Sequence, residues 1–343
     1  MDDQRVALLP ARHRPVLGPF PAVPARVMPV KYQPGHYVRT PGFHWTPDRQ
    51  TADFRLIDSI AHNPNVTGFV LHLNWAYFER APGDHAAGFR IVDAYLDRLA
   101  PRKHLILHVA DRSFGNPTAN VYPPYVINNG WVSVKPADQT WPDGLVSVAK
   151  TWQATVIDRL IAMSRAYAVR YDGHPRLAMY GLGGPVPHPQ LKRWLTESKK
   201  AWTTTPLRLC PGETDLPDLF THATSTVVPG GIAIGGPDPE LPLPDVIRAV
   251  PANRLFRGEG GPDLRGVVPF VGEVRELGLG NRYTETPGEI FDYFSHRMRC
   301  NYMIWLANTH VGGEAQQWPA ILAYIDSIRG RITTSRPTLG KWE

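Results

Sequence analysis

Short apolar runs alternate with amphipathic segments along most of the chain. The run from Val66 to Trp75 is almost continuously apolar, as a strand covered on both faces of a parallel sheet is. The segment Phe89–Ala100 instead places its apolar residues at helical spacing. This alternation of strand and helix patterns is typical of βα units around a parallel sheet.

The same alternation predicts eight strands, each with a helical partner or a crossover segment. The strands are predicted within the segments GHYVRT, VTGFVLHLNW, KHLILHVADRSF, RLAMYGLGGPVP, LRLCPGETDL, GGIAIGGPDP, GVVPFVGEVREL and NYMIWLANTH. Eight such units predict an α/β fold of one domain, a (β/α)8 or TIM barrel. Residues 115–144, rich in Asn, Pro and aromatic side chains, are predicted to form a long loop between the third strand and its helix.

The first 30 residues are proline-rich and aperiodic. They predict an N-terminal arm laid against a barrel domain that spans residues 31–343. The arm lacks the long apolar stretch of a signal peptide, and no apolar run reaches membrane length. We therefore expect a soluble protein without a membrane partner, either cytoplasmic or released, for example as part of a virion.

Composition adds little to this picture. Of the 343 residues, 43% are hydrophobic and 20% are charged, which is ordinary for a globular protein. A formal net charge of +6 is compatible with an acidic polysaccharide as partner. The Lys and Arg residues are dispersed, however, which gives nucleic-acid binding little support. The sequence indicates no oligomeric state.

Neither a cofactor nor a metal is expected. Cys210 and Cys300 lie far apart, without the spacing of a disulfide framework or a zinc site. His104 and His108 share one face of the third strand, but His104 would lie at the strand start, away from the usual functional end of a barrel. The glycines of GLGG and IGGPD lack the spacing of phosphate-binding loops.

A more specific pattern lies in WAYFERAPGDHAAGFRIVDAYL, carried by Trp75, Glu79, Pro82, Gly83, Phe89, Asp93 and Leu96. It resembles a segment of clan A glycoside hydrolases, especially the β-galactosidase-like and cellulase-like barrels. The likeness extends over roughly residues 35–330. It implies two catalytic carboxylates, an acid on the fourth strand and a nucleophile in a Gly-Glu pair on the seventh.

Glu273, in VGEVRE, is the candidate nucleophile or base, and Glu276 is the alternative if the strand end differs by a few residues. Pairing of Glu273 with Arg275 in a loop is the structural alternative. Where the resemblance implies a fourth-strand acid, this sequence has Gly183-Gly184. Canonical two-carboxylate chemistry therefore needs an acid from elsewhere.

Two carboxylates at neighbouring strand ends are candidates for that acid. Glu213 is predicted to end the fifth strand, and Asp111 the third. Each has a structural alternative, since Glu213 could cap a following helix and Asp111 could pair with Arg112. Glu79 is expected to serve the structure of the barrel rim rather than catalysis.

Polar and aromatic side chains at the predicted rim are suited to sugars, whose hydroxyls need donors and acceptors and whose rings stack on indoles. The candidate substrate-binding residues are His44, Trp45, His72, Asn74, Trp75, Arg112, Asp238, Trp305, Asn308 and His310. The structural alternatives are a satisfied buried histidine for His72, a turn for Asp238 and packing for each tryptophan.

These features favour a phage or bacterial glycoside hydrolase that cleaves a polysaccharide or oligosaccharide by carboxylate acid–base or nucleophilic catalysis. The alternative is a catalytically silent barrel that binds glycans or takes part in virion assembly. A barrel lyase or esterase is a third, weaker alternative.

Overall fold

The computed structural model describes residues 29–41, 45–110, 121–136, 145–182, 188–209, 222, 231–235, 264–274, 286–307, 317–339 and 341–343. Eight parallel strands form one sheet. They are β1 (Gly35–Arg39), β2 (Gly68–Asn74), β3 (His104–Ala110), β6 (Leu177–Leu182), β7 (Leu207–Leu209), β8 (Ile232–Ile234), β9 (Val271–Val274) and β10 (Tyr302–Leu306). Their order in the sheet is β8-β7-β6-β3-β2-β1-β10-β9.

The two ends of this sheet meet. Ile234 of β8 forms a parallel bridge with Phe270, the residue before β9. The backbone N–H of Ile234 also donates to the carbonyl of Pro269 at 2.9 Å. The eight strands therefore form a nearly closed barrel, and the predicted (β/α)8 fold is confirmed.

Helices surround the barrel between the strands. They are α1 (Pro47–Ile60), α2 (Trp75–Phe78), α3 (Ala86–Arg98), α4 (Pro124–Asn128), α5 (Ala154–Tyr171), α6 (His188–Lys199), α7 (Pro287–Asp292), which a π-helical turn (Tyr293–Arg297) extends, and α8 (Gln317–Ser327). α1 begins after Thr46, whose hydroxyl accepts from the Arg49 N–H. No helix in the described part of the chain is long and apolar enough to cross a bilayer.

Strand side chains alternate between two apolar clusters, one on each face of the sheet. The outer cluster packs against the helices and includes Leu71 and Leu107. The inner cluster, here called the apolar plug, fills the barrel lumen with Tyr37, Val70, Ile106, Ala178, Met179, Ala233, Val271, Tyr302 and Ile304. The next inward-facing positions lie closer to the C-terminal strand ends, here called the mouth.

The prediction of a loop over residues 115–144 is wrong for its described part. That part contains α4 and the strand β4 (Val132–Pro136), which pairs antiparallel with β5 (Leu145–Ala149). Both strand segments are short and alternate Val with polar residues, and the surrounding Pro and Asn residues obscured this pattern. Tyr122 anchors the hairpin, because its hydroxyl donates to the Ser147 carbonyl at 3.0 Å.

Two chain segments meet at the end of the barrel opposite the mouth. Val30 bridges Trp342, and its N–H donates to the carbonyl of Lys341 at 2.6 Å. Tyr32 packs against the Trp342 indole with ring centroids 5.8 Å apart. Residues 1–28 lie outside the described residues, so the division into an arm of residues 1–30 and a barrel of residues 31–343 stays a prediction.

We expect Trp342→Ala to lower the free energy of unfolding by about 3 kcal/mol, because it removes a large buried side chain from this contact. Trp342→Phe, which keeps an aromatic ring against Tyr32, should lose less. Urea unfolding of both variants tests this expectation. Equal stability of Trp342→Ala and wild type would show that the contact contributes nothing.

Candidate active site in the barrel lumen

Five polar side chains form a layer directly on the mouth side of the apolar plug. They are Arg39 (β1), His72 (β2), His108 (β3), Arg208 (β7) and Glu273 (β9), and none is more than 5% exposed. Four of them lie two residues after a plug residue of the same strand. Because inward positions recur every second residue, the backbone places all four in the lumen.

Glu273 is the centre of this layer, and both of its carboxylate oxygens are engaged. The Arg39 Nε lies 2.8 Å from Oε1. The Arg208 Nη2 donates to Oε2 at 2.5 Å. The His72 Nε2 approaches Oε1 to 3.7 Å, which is too long for a hydrogen bond. Two guanidinium groups therefore hold the carboxylate from two strands.

These charges determine the protonation of the layer. Burial alone would raise the pKa of Glu273, but Arg208 and Arg39 outweigh it and hold that pKa well below its usual range. Burial lowers the pKa of His72 well below its usual range, although Glu273 opposes the shift. At neutral pH Glu273 is thus ionised and His72 neutral. An ionised Glu273 can act as a nucleophile or base and cannot donate a proton.

His108 fills the lumen next to the fourth barrel strand. Its ring stacks on His72 with centroids 4.7 Å apart and planes 28° apart. The register pairs His108 with Gly181 of β6 and Gly181 with Arg208. A Cβ at Gly181 would lie 2.8 Å from His108 Nδ1 and 3.1 Å from the Arg208 Cβ. The imidazole therefore takes the space that a side chain at position 181 would need.

We expect Gly181→Ala to lower the free energy of unfolding by about 1–3 kcal/mol, because the new methyl group forces the His108 ring to move. The loss should be smaller in a His108→Ala background, where the ring is absent. A double-mutant cycle measured by urea unfolding tests the coupling. An identical loss in both backgrounds would rule out contact with His108 as the cause.

Of the sequence-predicted site residues, the structure brings Glu273 and His72 together in the lumen. Asn74 ends β2, and its Oδ1 accepts from the backbone N–H of Trp45 at 3.4 Å. The Trp45 indole donates to the Tyr95 hydroxyl at 3.0 Å and is 5% exposed. Trp75 begins α2 and is fully buried. Trp45 and Trp75 therefore belong to the packed rim and offer no open face for a sugar.

Trp305, a predicted substrate-binding residue, does not face the lumen. It lies on the face of β10 opposite Ile304 and is fully buried in the helix-facing cluster. Its indole N–H donates to His36 Nδ1 at 3.0 Å. Burial lowers the pKa of His36 to about 4, so the ring is neutral and can accept this bond. Trp305 is thus a residue of the barrel wall.

The remaining predicted residues lie outside the described part of the chain. These are His44, Asp111, Arg112, Glu213, Asp238, Glu276, Asn308 and His310, together with Gly183 and Gly184. Glu273 is the only acidic residue within the eight described barrel strands. A two-carboxylate mechanism would therefore need its second carboxylate from outside these strands.

Sequence reasoning missed Arg39, Arg208 and His108 as members of the site. A polar or charged residue inside an otherwise apolar barrel strand was the available signal, since such strands are normally covered on both faces. In the described residues, no group of three or more His, Cys, Asp or Glu could hold a metal ion.

Glu79, in contrast, holds the rim together. Its carboxylate is fully buried and lies 2.5 Å from Arg159 Nη2 of α5. It accepts from the Gly83 N–H at 2.8 Å and from the Tyr125 hydroxyl of α4. These bonds join the turn after α2 to the helices α4 and α5. Glu79 is therefore a structural carboxylate outside the lumen layer.

Several solved structures share this architecture. The catalytic domain of β-amylase from Paenibacillus polymyxa superposes with a TM-score of 0.58 at 9% identity, over 88% of this chain and 100% of that one. Endo-glycoceramidase II from Rhodococcus sp. gives 0.55 at 15% identity, over 88% and 80%. The β-galactosidase from Rahnella sp. R3 gives 0.55 at 10% identity, over 90% of this chain and 58% of that one.

The chain has the barrel fold of these glycoside hydrolases. At such low identity the likeness is one of fold, and it does not transfer a substrate or a catalytic residue. No protein-family model matches the sequence, and no curated protein matches it. The chemistry therefore has to be argued from the lumen itself.

Proposed function

We propose that this protein is a glycoside hydrolase that cleaves a polysaccharide or oligosaccharide, with Glu273 as a catalytic carboxylate. The observation that carries the proposal is the buried carboxylate of Glu273 on β9, the seventh strand of the barrel along the chain. Arg39 and Arg208 hold this carboxylate ionised. The resemblance of VGEVRE to the nucleophile strand of clan A enzymes supports it. The shared fold with three glycosidases supports it as well.

The two ion pairs that hold Glu273 as an anion favour attack on the anomeric carbon over activation of water in this proposal. A general base works best when its pKa lies near the working pH, and a strongly depressed pKa makes the carboxylate a poor proton acceptor. A nucleophile must instead be ionised and must leave again as a stable anion. The guanidinium groups of Arg39 and Arg208 favour that anion. The reaction is therefore a displacement with retention in this proposal.

The proton donor in this mechanism is Asp111 or Glu213. β3 and β7 are the two neighbours of β6 in the sheet. Asp111 directly follows β3, and Glu213 follows β7 by four residues. Each residue follows, in sequence, a strand that neighbours β6, the strand on which the resemblance implies an acid. A retaining mechanism needs the two carboxyl groups about 5–5.5 Å apart, which is the geometric requirement on the donor.

The substrate occupies the mouth in this proposal. His72 and Asn74 supply polar groups from β2. We propose further contacts with the substrate from His44, Arg112, Asp238, Asn308 and His310. The net charge of +6 makes an acidic polysaccharide a substrate class to test alongside neutral ones.

A screen of neutral and acidic polysaccharides and of aryl glycosides tests the proposal. Wild type and Glu273→Gln are compared by release of reducing ends and of the aryl group. We expect wild type to cleave at least one substrate and the variant to lose that activity. Cleavage at the same rate by both proteins would exclude Glu273 from the mechanism.

One observation favours a second candidate, a catalytically silent glycan-binding barrel. Both oxygens of Glu273 are already engaged by guanidinium groups, and the residue is only 2% exposed. A carboxylate used only as an internal ion pair would look the same. Titration calorimetry of wild type against the same glycans separates the two candidates. A catalytically silent barrel would bind a glycan and leave it uncleaved after prolonged incubation, whereas a hydrolase would cleave the glycan that it binds.

A further inference from the structure

A third buried carboxylate, besides Glu273 and Glu79, lies behind the end of β1, outside the lumen. Asp53 belongs to α1 and is 1% exposed. The Thr40 hydroxyl donates to one of its oxygens, and the Tyr95 hydroxyl donates to the other. Asp53 thus links the residue that follows β1 to α3, which carries Tyr95.

The hydroxyl groups of Thr40 and Tyr95 both donate to Asp53. Arg49 Nε donates to the Thr40 hydroxyl oxygen at 3.1 Å, so the proton of that hydroxyl is free to go to Asp53. The Trp45 indole donates to the Tyr95 oxygen at 3.0 Å, so the Tyr95 proton also goes to Asp53. An ionised carboxylate is the group that accepts on both oxygens and donates from neither.

Thr40 connects this network to the candidate active site through its carbonyl group. The Thr40 carbonyl accepts from Arg49 Nη2 at 3.1 Å and from Arg39 Nη1 at 3.3 Å. The Arg39 Nε then lies 2.8 Å from Glu273 Oε1. The side chain of Thr40 is therefore bound by Asp53, and its backbone carbonyl binds the guanidinium that holds the candidate nucleophile.

We propose that Asp53 is a positioning residue that, through Thr40, fixes the Arg39 guanidinium against Glu273. Its effect on catalysis rests on the proposed function of Glu273, whereas its effect on Arg39 does not. The same network reaches the rim on a second path, since the backbone N–H of Trp45 donates to Asn74. Asp53 thereby sets the geometry of the β1 end without touching a substrate.

The direct test observes the Nε–H group of Arg39 by NMR in protein labelled with 15N-arginine. The signal is assigned by its disappearance in Arg39→Lys. In wild type we expect a signal protected from solvent exchange, because Arg39 is only 1% exposed and its Nε lies against Glu273. In Thr40→Val and Asp53→Asn we expect this signal to shift and to exchange about tenfold faster, because one anchoring bond to a charged group is lost. Thr40→Ser, which keeps the hydroxyl, should restore the wild-type signal.

Asp172 provides a matched control at the opposite end of the barrel. Its carboxylate accepts from the backbone N–H groups of Thr203, Thr204 and Thr205 at 2.9, 3.0 and 2.7 Å. Asp172→Asn should lower stability and leave the Arg39 signal unchanged. An unchanged Arg39 signal in both Thr40→Val and Asp53→Asn would overturn the proposal, and so would a shift in Asp172→Asn as large as theirs.

Kinetics on a cleaved substrate test the catalytic consequence separately. We expect Thr40→Val and Asp53→Asn to lower kcat by about 10- to 100-fold with little change in KM, and Thr40→Ser to recover the rate. If wild type cleaves nothing, the proposed function fails while the NMR result still decides the positioning role. A shifted Arg39 signal with unchanged kcat would overturn the catalytic consequence alone.

Discussion

Glu273→Gln lowers the rate of glycoside cleavage by about 1,000- to 10,000-fold in the proposed mechanism, because an amide neither attacks the anomeric carbon nor accepts a proton. Glutamine keeps nearly the same volume, so the lumen should keep its shape. The measurement is kcat/KM on the best substrate of the screen, normalised to the folded fraction determined by circular dichroism at the assay temperature.

Glu79→Gln is the matched control for this substitution. Glu79 is also a fully buried carboxylate paired with an arginine, but it ties the rim turn to its neighbouring helices. We expect Glu79→Gln to lower stability and to change kcat/KM per folded molecule only a few-fold. Equal losses of kcat/KM in Glu79→Gln and Glu273→Gln would attribute both to damaged structure and contradict a catalytic role of Glu273.

Arg208→Met is expected to lower the free energy of unfolding by about 3 kcal/mol, because it breaks a buried ion pair. Arg208 and Glu273 are at most 2% exposed, so water cannot replace the lost bond to Oε2. Because Arg39 remains as a second partner of Glu273, we expect a loss of unfolding free energy at the lower end of the range for breaking a buried ion pair, about 3–5 kcal/mol. Urea unfolding at neutral pH measures it, and a loss below about 1 kcal/mol would contradict this description of the layer.

The same substitution should also change how stability depends on pH. Because the folded-state pKa of Glu273 is depressed, the stability that it contributes is present above its unfolded-state pKa and is lost as the pH falls through the folded-state pKa. Removing Arg208 raises the folded-state pKa. The loss of stability on acidification should therefore begin at a higher pH in Arg208→Met than in wild type.

Arg193→Met is the control for the pH experiment, because Arg193 pairs with Asp158 at the surface and is 40% exposed. Solvent screens such a pair, so its removal should leave the pH dependence of Tm close to that of wild type. Identical acid profiles for Arg208→Met and wild type would show that Arg208 does not set the pKa of Glu273.

The sequence predicted the strands well because each is a compact apolar run between turn residues. Glu273 stood out as a carboxylate within such a run. Its partners did not, because Arg39 and Arg208 lie 234 and 65 positions away along the chain. Only the register across several strands brings them to one layer, and local patterns carry no information about that register.

The tryptophans illustrate the second limit. Strands of a parallel barrel are apolar on both faces, so the sequence does not reveal which face enters the lumen. Ile304 and Trp305 are neighbours in β10, yet Ile304 belongs to the lumen plug and Trp305 to the helix-facing cluster. Size and aromatic character favoured Trp305 for a sugar site, whereas the alternation of the strand decided against it.

Azide rescue of Glu273→Gly tests the central claim most directly. The variant leaves a cavity beside Arg39 and Arg208 in which a small anion can replace the missing carboxylate. On an activated aryl glycoside cleaved by wild type, we expect the variant to be inactive alone and to regain turnover with added azide, releasing a glycosyl azide. A variant that cleaves the substrate at the wild-type rate without azide, or one that folds and stays inactive with it, would contradict Glu273 as the group that attacks the sugar.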